Sequence, residues 1–378
     1  MRILVLNYEF PPVGGGGGRA SEDICRVLAR RGHRVRVQTS HVKGLSKTER
    51  RDGYGIYRSF SMRRRADRCS VPEMGAFILT NLLPSLRHAL LWRPHVIHAH
   101  FAVPTGVLAW GVHIISGLPY VLTVQLGDVP GALPEQTDHL FRVVKPFSRP
   151  IWKRAACVVA VSDHIRDLAV RSYGVPVRTI PNAIDLARCI PSPTRPFTPR
   201  RIVFAGRFNA QKNLLFLMDV LSGLSDQDWQ LDMLGDGPLM GAVRRRIGEG
   251  NLRGRITLHG WVDPSVVQEN MRRSDILLLP STAEGLPLVG AMALGHGLAI
   301  VGSDVGGIRD VVKEGQNGFL CPVGDRTAFQ QALRSLLASD DLLEEMKRSS
   351  LELARTFDLE TVGTLYENVL KEVCTGVL

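Results

Sequence analysis

The feature that most constrains this chain is a strand–helix alternation that runs twice, in two series separated by a stretch crowded with proline. Apolar segments near 2–7, 34–39, 95–98, 120–124, 157–161 and 177–180 read as strands. Their unbroken hydrophobicity suits parallel strands covered on both faces. Helical patterns at about 18–31, 74–91, 104–115, 137–154 and 162–173 lie between them. A second series of strands follows at 201–205, 229–234, 255–259, 275–279, 298–302 and 318–321, again with helices between, and helical patterns run on from about 325 to 376. This spacing implies right-handed βαβ units. Between the series, Cys189–Pro199 holds four prolines in eleven residues. Proline fixes φ and lacks a backbone donor, so this segment reads as a stiff connector. The expected fold class is α/β, with two Rossmann-like doubly wound parallel-sheet domains facing across a cleft. The expected divisions are a first domain 1–188, a linker 189–200, a second domain 201–357, and a C-terminal helix 358–378 packing back toward the first domain.

A length of 378 residues suits two domains, and 44% hydrophobic with 22% charged residues is a globular composition. The six cysteines are scattered without a C-x-x-C pair, which argues for a reducing cytoplasm and against structural zinc. Residues 1–7 read as a first strand, not as a signal peptide. No charge occurs between Arg93 and Asp128, but histidines, Pro104, Pro119 and a Gly-Leu-Pro turn break the run, so strand, buried helix and strand fit it better than a membrane span. The net charge of +11 is uneven: residues 1–185 hold 26 Lys+Arg against 13 Asp+Glu, and the remainder 21 against 23. Arg50-Arg51 and Arg63-Arg64-Arg65 with Arg68, beside the apolar stretch Met74–Trp92, suit an anionic bilayer surface. No helix–turn–helix, RNP or zinc pattern accompanies the basic charge, so nucleic acid is not the expected partner.

Chemistry-bearing residues cluster where strands end. The first strand leads into five consecutive glycines, Gly14–Gly18, which open a helix. Such a turn lets backbone amides approach a phosphate, and Gly15, Gly16 and Gly17 are the candidates. In the second half a strand ends in Gly206-Arg207 and Lys212 follows in the same loop. A guanidinium fork and an ammonium there suit a diphosphate. Strand 275–279 ends in a loop with one acid, Glu284-Gly285-Leu286-Pro287-Leu288-Val289. With Pro287 as the first helical residue, the amides of Leu288 and Val289 are orphan donors, and Glu284 can accept from sugar hydroxyls. Ser303–Gly307 gives a further glycine turn. Asp226-Gln-Asp228 precedes a strand and reads as a solvated loop, not a metal site.

At these positions the chain resembles the retaining glycosyltransferases of family 4, or group 1, which have the GT-B fold. The resemblance rests on Phe10-Pro-Pro with the glycines, Val96-Ile-His98-Ala-His100, Val161-Ser162, Pro181–Asp185, Gly206-Arg207 with Lys212, Glu284-Gly-Leu-Pro and Asp304–Gly307. It implies that Arg207 and Lys212 neutralise a donor diphosphate, that Glu284 binds the transferred sugar, and that the glycine turn closes over phosphates. It also points to His98, His100 and Asp128 as acceptor contacts. The implied reaction moves a sugar from a nucleotide-sugar, UDP-sugar favoured over GDP-sugar, to a lipid-linked or saccharide acceptor, without a cofactor or metal. Two departures stand out. The family's second acid in E-x7-E is Met292 here, and its Thr-Val-His-Gly histidine is Gln125, which cannot shuttle protons near neutral pH. A GT-B scaffold subunit and a sugar-nucleotide epimerase or phosphorylase are the alternatives.

Overall fold

The computed structural model describes all residues except 66–68, 133–140, 142–144, 146–147 and 377–378. Arg68 and much of the helical pattern expected at 137–154 therefore lie outside the described residues, although 148–154 are helical. The chain divides into two compact units, residues 1–183 with 359–378, and residues 184–358.

The first unit is built on strands β1 (Arg2–Asn7), β2 (Arg34–His41), β3 (Thr48–Arg51), β4 (Tyr54–Phe60), β5 (Val96–His100), β6 (Tyr120–Val124), β7 (Cys157–Ala160) and β8 (Arg178–Thr179). Their order in the sheet is β3-β4-β2-β1-β5-β6-β7-β8, and only β3 runs antiparallel to its neighbour. Every residue of β5, β6 and β7 is buried, as a sheet covered on both faces requires. The β3–β4 pair lies outside the strands that the apolar pattern predicts. Its two-residue turn is Asp52-Gly53, both with positive φ, a hairpin signal in its own right.

The second unit holds β9 (Arg200–Ala205), β10 (Trp229–Leu234), β11 (Ile256–Gly260), β12 (Ile276–Leu279), β13 (Ala299–Ser303) and β14 (Gly318–Cys321). They form an all-parallel sheet in the order β11-β10-β9-β12-β13-β14.

The proline-rich stretch is not a free connector; it is packed on the second unit. Ser192 Oγ donates to the Ser274 carbonyl at 2.7 Å, and the Phe197 amide donates to the Asp275 carboxylate. Lys347 Nζ binds the Pro193 carbonyl at 2.6 Å and Asp275 at 2.9 Å, with both charged side chains buried. Helix Leu359–Thr375 belongs to the first unit. Its Leu359, Val362, Tyr366, Val369, Leu370 and Val373 enter the core with β1 and helix Gly16–Arg30. A Cβ at Gly363 would lie 2.3 Å from Val27, so glycine permits the close approach of the two helices. The uncharged run 94–127 folds as β5, a ten-residue helix Val107–Ser116 and β6. Among the described residues no helix is long and apolar enough to cross a membrane.

Candidate active site

In the second sheet the strand order turns back at β9: the chain steps outward through β10 to β11, then returns to the other side of β9 as β12. Loops leaving the carboxyl ends of strands at such a reversal diverge and leave a crevice, the usual ligand position in open α/β sheets. Both halves of the expected site lie there. The loop after β9 carries Gly206, Arg207 and Lys212, and the loop after β12 carries Ser281 to Val289.

Each loop is held locally before they meet. The Gly206 amide donates to the Leu234 carbonyl at 2.9 Å, and a Cβ at Gly235 would lie 1.8 Å from the Gly206 carbonyl oxygen. Lys212 ends a short turn, Ala210–Lys212, whose Asn209 side chain accepts from the Lys212 amide at 3.2 Å. The two loops are then tied together by Gln211. Its carbonyl accepts from the Thr282 amide at 2.8 Å, and its Nε2 donates to the Ala283 carbonyl at 2.7 Å. As a result Lys212 Nζ forms an ion pair with Glu284 Oε1, which also accepts from Ser281 Oγ at 2.7 Å. Glu284 is 7% exposed, whereas Arg207 is exposed.

Helix Leu288–Gly295 begins directly after this acid. Pro287 is its N-cap, not the first helical residue, with ψ 105. That moves the start by one position and leaves Leu288 and Val289 as the first two amide donors. Met292 is half-buried one turn further along the same face. Behind the acid, the Gly307 amide donates to the Glu284 carbonyl at 3.0 Å. A Cβ at Gly306 would lie 2.1 Å from that carbonyl oxygen, and one at Gly307 only 1.8 Å from the oxygen of Gly285. Gly307→Ala must therefore displace the Glu284–Gly285 backbone. Overpacking of this kind costs about 1–3 kcal/mol. Affinity for the nucleotide that the resemblance implies, measured by titration calorimetry, should then fall by roughly tenfold or more, while Gly315→Ala, in an open turn with φ +71, changes it little.

The first unit presents a different picture. Gly15 caps helix Gly16–Arg30 and its amide donates to Glu9 Oε2 at 3.2 Å, while Gly16 and Gly17 stand in the first turn. Gly17 closes on the end of β6, since a Cβ there would lie 2.7 Å from the Phe101 ring and 3.5 Å from Gln125 Cδ. The Gln125 side chain reaches Asn182 Oδ1 at 3.5 Å.

The three expected acceptor contacts are interior residues. His98 is fully buried in β5, its Nε2 within 2.9 Å of Thr123 Oγ1 and its ring 4.1 Å from that of His100. Burial drives the His98 imidazole down to about 3 and holds His100 well below its ordinary value. Asp128 is spent on the backbone: Oδ1 accepts from the Ala102 amide and Oδ2 from the Gln125 amide, both at 2.8 Å. Desolvation raises its carboxyl to about 7 despite those amides. These groups shape the Gln125 loop and have little surface to offer a sugar.

Among the polar residues, Ser281, Gln211 and Asn209 were not singled out in the sequence. The one signal for them was spacing, with Asn209 three residues before Lys212 and Ser281 three before Glu284. Asp226 is a surface residue paired with Arg334.

The profile described as Glycosyltransferase Family 4 matches residues 14–188, and that described as Glycosyl transferases group 1 matches residues 199–339. The chain belongs to the family 4 (group 1) glycosyltransferases. Among the relatives of this glycosyltransferase, a phosphatidyl-myo-inositol mannosyltransferase of Mycobacterium leprae is 29% identical over 100% of this chain and 98% of its own. A glycogen synthase of Mycobacterium tuberculosis is 27% identical over 96% and 93%. Its fold is similar to that of sucrose-phosphate synthase from Thermosynechococcus elongatus, with a TM-score of 0.84, 20% identity and full coverage of both chains. The two parallel-sheet α/β units are thus those of a GT-B glycosyltransferase.

Proposed function

We propose that this glycosyltransferase is a retaining, metal-independent hexosyltransferase that takes a UDP-sugar as donor and glycosylates a lipid-linked or saccharide acceptor in surface-polysaccharide or glycoconjugate assembly. The observation that carries this reading is the Lys212–Glu284 ion pair at the β9/β12 reversal, on loops that also bear Arg207 and the first-turn amides of Leu288 and Val289. Breaking the sugar–phosphate bond builds negative charge on the departing diphosphate. Fixed cations and amide dipoles at that position are worth most in the transition state, where the charge is largest. Two cations supply the charge that a metal would otherwise bring. Lys212 turns from Glu284 to the phosphate, which frees a carboxylate oxygen to accept from a sugar hydroxyl.

Retention follows from acceptor attack on the face that the diphosphate leaves. The acceptor hydroxyl forms the new bond to the anomeric carbon as the bond to phosphate oxygen breaks, and its proton passes to a phosphate oxygen. No protein nucleophile takes part. Gln125 can orient groups by hydrogen bonding but cannot take that proton. Residues 1–185, with 26 Lys+Arg against 13 Asp+Glu, support a cytoplasmic protein held peripherally on an anionic membrane face, close to a lipid-linked acceptor.

A thermal-shift series with UDP, GDP and ADP in the presence of EDTA tests the donor reading, since a ligand selective for the folded state raises the midpoint. UDP should give the largest shift. A larger shift with GDP overturns the UDP assignment, and no shift with any of the three overturns the donor site itself. Nucleotide binding without release of nucleotide from any sugar nucleotide, with acceptor extracts present, would favour a binding subunit.

A further inference from the structure

At the amino-terminal edge of β2 and β4, the end of the first sheet opposite the glycine turn, lies a cavity of about 600 Å³. Arg34, Arg36, Arg50, Glu49, Tyr57 and Trp92 are among its lining residues. Its one acid is already committed, with the Glu49 carboxylate held by Arg51 at 2.7 Å and Arg58 at 2.8 Å. Arg36 is braced against the walls, its guanidinium 4.4 Å from the Trp92 ring centre and 5.5 Å from that of Tyr57. Arg34 and Arg50 are exposed. The lining therefore presents three guanidinium groups with aromatic walls and no uncommitted carboxylate, a chemistry suited to an oxyanion such as phosphate.

The wall formed by Trp92 continues into an apolar surface. Helix Val71–Arg87 and the helical turn His88–Trp92 bury Phe77, Asn81, Ser85 and Ala89, while Leu79, Leu83, Leu90 and Leu91 each remain more than half exposed. Positions 79, 83, 87 and 90–91 fall on one side of a helix, and Arg87 among them is exposed. Ile114 and Ile115, also exposed, end the helix Val107–Ser116 that packs alongside. An exposed apolar patch bordered by cations marks an interaction surface.

Of the basic clusters expected from sequence, Arg50 lines this pocket. Arg63 is buried against the Tyr8 carbonyl at 3.0 Å, and Arg51 is engaged by Glu22 and Glu49.

We propose that this pocket binds the phosphate of an anionic phospholipid while Leu79, Leu83, Leu90 and Leu91 enter the acyl boundary beside it. The proposal rests on the membrane-peripheral reading above and assigns it a location. Charge complementarity selects the occupant: guanidinium groups take the headgroup phosphate, Trp92 sits at the depth where aromatic rings favour the membrane interface, and the leucines supply the apolar term.

The full-length protein is sedimented with phosphatidylcholine vesicles and with vesicles containing about one-third phosphatidylglycerol, at low and high salt. The wild type should bind only the anionic vesicles, and less at high salt. Each well-placed cation contributes about fivefold, so Arg34→Gln/Arg50→Gln should weaken partitioning by roughly tenfold or more. Leu83→Ser/Leu91→Ser should weaken it comparably. Both variants should keep the wild-type thermal midpoint and its response to nucleoside diphosphate. If the wild type ignores anionic vesicles, the membrane reading falls and this inference with it. If the wild type binds and both variants bind as well, the location is wrong while the membrane reading stands. If inorganic phosphate raises the midpoint of the wild type but not of Arg34→Gln/Arg50→Gln, and vesicles do not bind, the pocket serves a soluble anion and the lipid assignment is overturned.

Discussion

Lys212→Ala is expected to lower the rate of sugar transfer by on the order of 10²–10³-fold, the usual loss when one fixed charge-stabilising donor is removed from a leaving-group or oxyanion site. Adding Arg207→Ala should bring transfer close to background. Stability needs separate attention, because Lys212 also partners Glu284, whose side chain is 8% exposed. Stripping one member of a buried pair costs about 3–5 kcal/mol, and Lys212, 16% exposed, recovers part of that through solvent, so roughly 2–3 kcal/mol is expected. Ser281 remains as a donor to the carboxylate. The double variant Lys212→Ala/Glu284→Ala separates the two roles. Removing both charges should restore most of the stability lost in the single variant, while transfer stays at least as low. Chemical denaturation and nucleotide-release assays on the four members of this cycle give both readouts. Recovery of transfer together with stability would show that Lys212 serves the fold alone.

Acid sensitivity of the first unit is the second large effect. His98 titrates in the folded state near 3 and His100 well below 6.5, both through burial. Their folded values lie below their unfolded ones, so the stability they represent is present above about pH 6.5 and is lost as pH falls. His88, lowered to about 4 by burial and by Arg36, acts in the same direction but is only half-buried and counts for less. Asp128 has the opposite sign. Its carboxyl is raised to about 7, so its contribution is complete below its unfolded value of 3.8 and disappears as pH rises through 7. The net excess of protons on the unfolded chain therefore rises from well under one near pH 6.5 to between one and two near pH 5. On acidification stability should fall with a slope that steepens to roughly 1.4–2.7 kcal/mol per pH unit near pH 5. His100→Asn should reduce that slope by about 1.4 kcal/mol per pH unit, and Asp128→Asn should raise it by a similar amount. Urea unfolding at several pH values measures the slope independently of the absolute stability of each variant. A slope unchanged in both variants would mean that neither group titrates differently in the folded and unfolded states.

What the sequence by itself determined is whatever local periodicity encodes. Strands such as Ile276–Leu279 and Ala299–Ser303 are buried on both faces and so had to be continuous apolar runs. Glycines and Pro287 marked the turns that follow them, so Arg207, Lys212 and Glu284 were legible as residues at strand ends. The hairpin Thr48–Phe60 was hidden because its first strand, Thr48–Arg51, is short and charged, leaving Asp52-Gly53 as its main signal.

Tertiary structure decided what those residues do together. Lys212 and Glu284 are 72 positions apart and meet only because β12 returns beside β9, and strand order is set by packing across the whole sheet, which no local pattern records. The same holds for burial. His98, His100, Asp128 and Arg63 have polar side chains that sequence alone assigns to surfaces or ligands. Arg50 and the stretch Met74–Trp92 suited a bilayer surface from the sequence, but only the fold set Arg34 and Arg36 beside Arg50 and left Leu79, Leu83, Leu90 and Leu91 exposed. Whether a polar group faces solvent or the interior depends on which neighbouring elements cover it, and that is a property of the assembled fold.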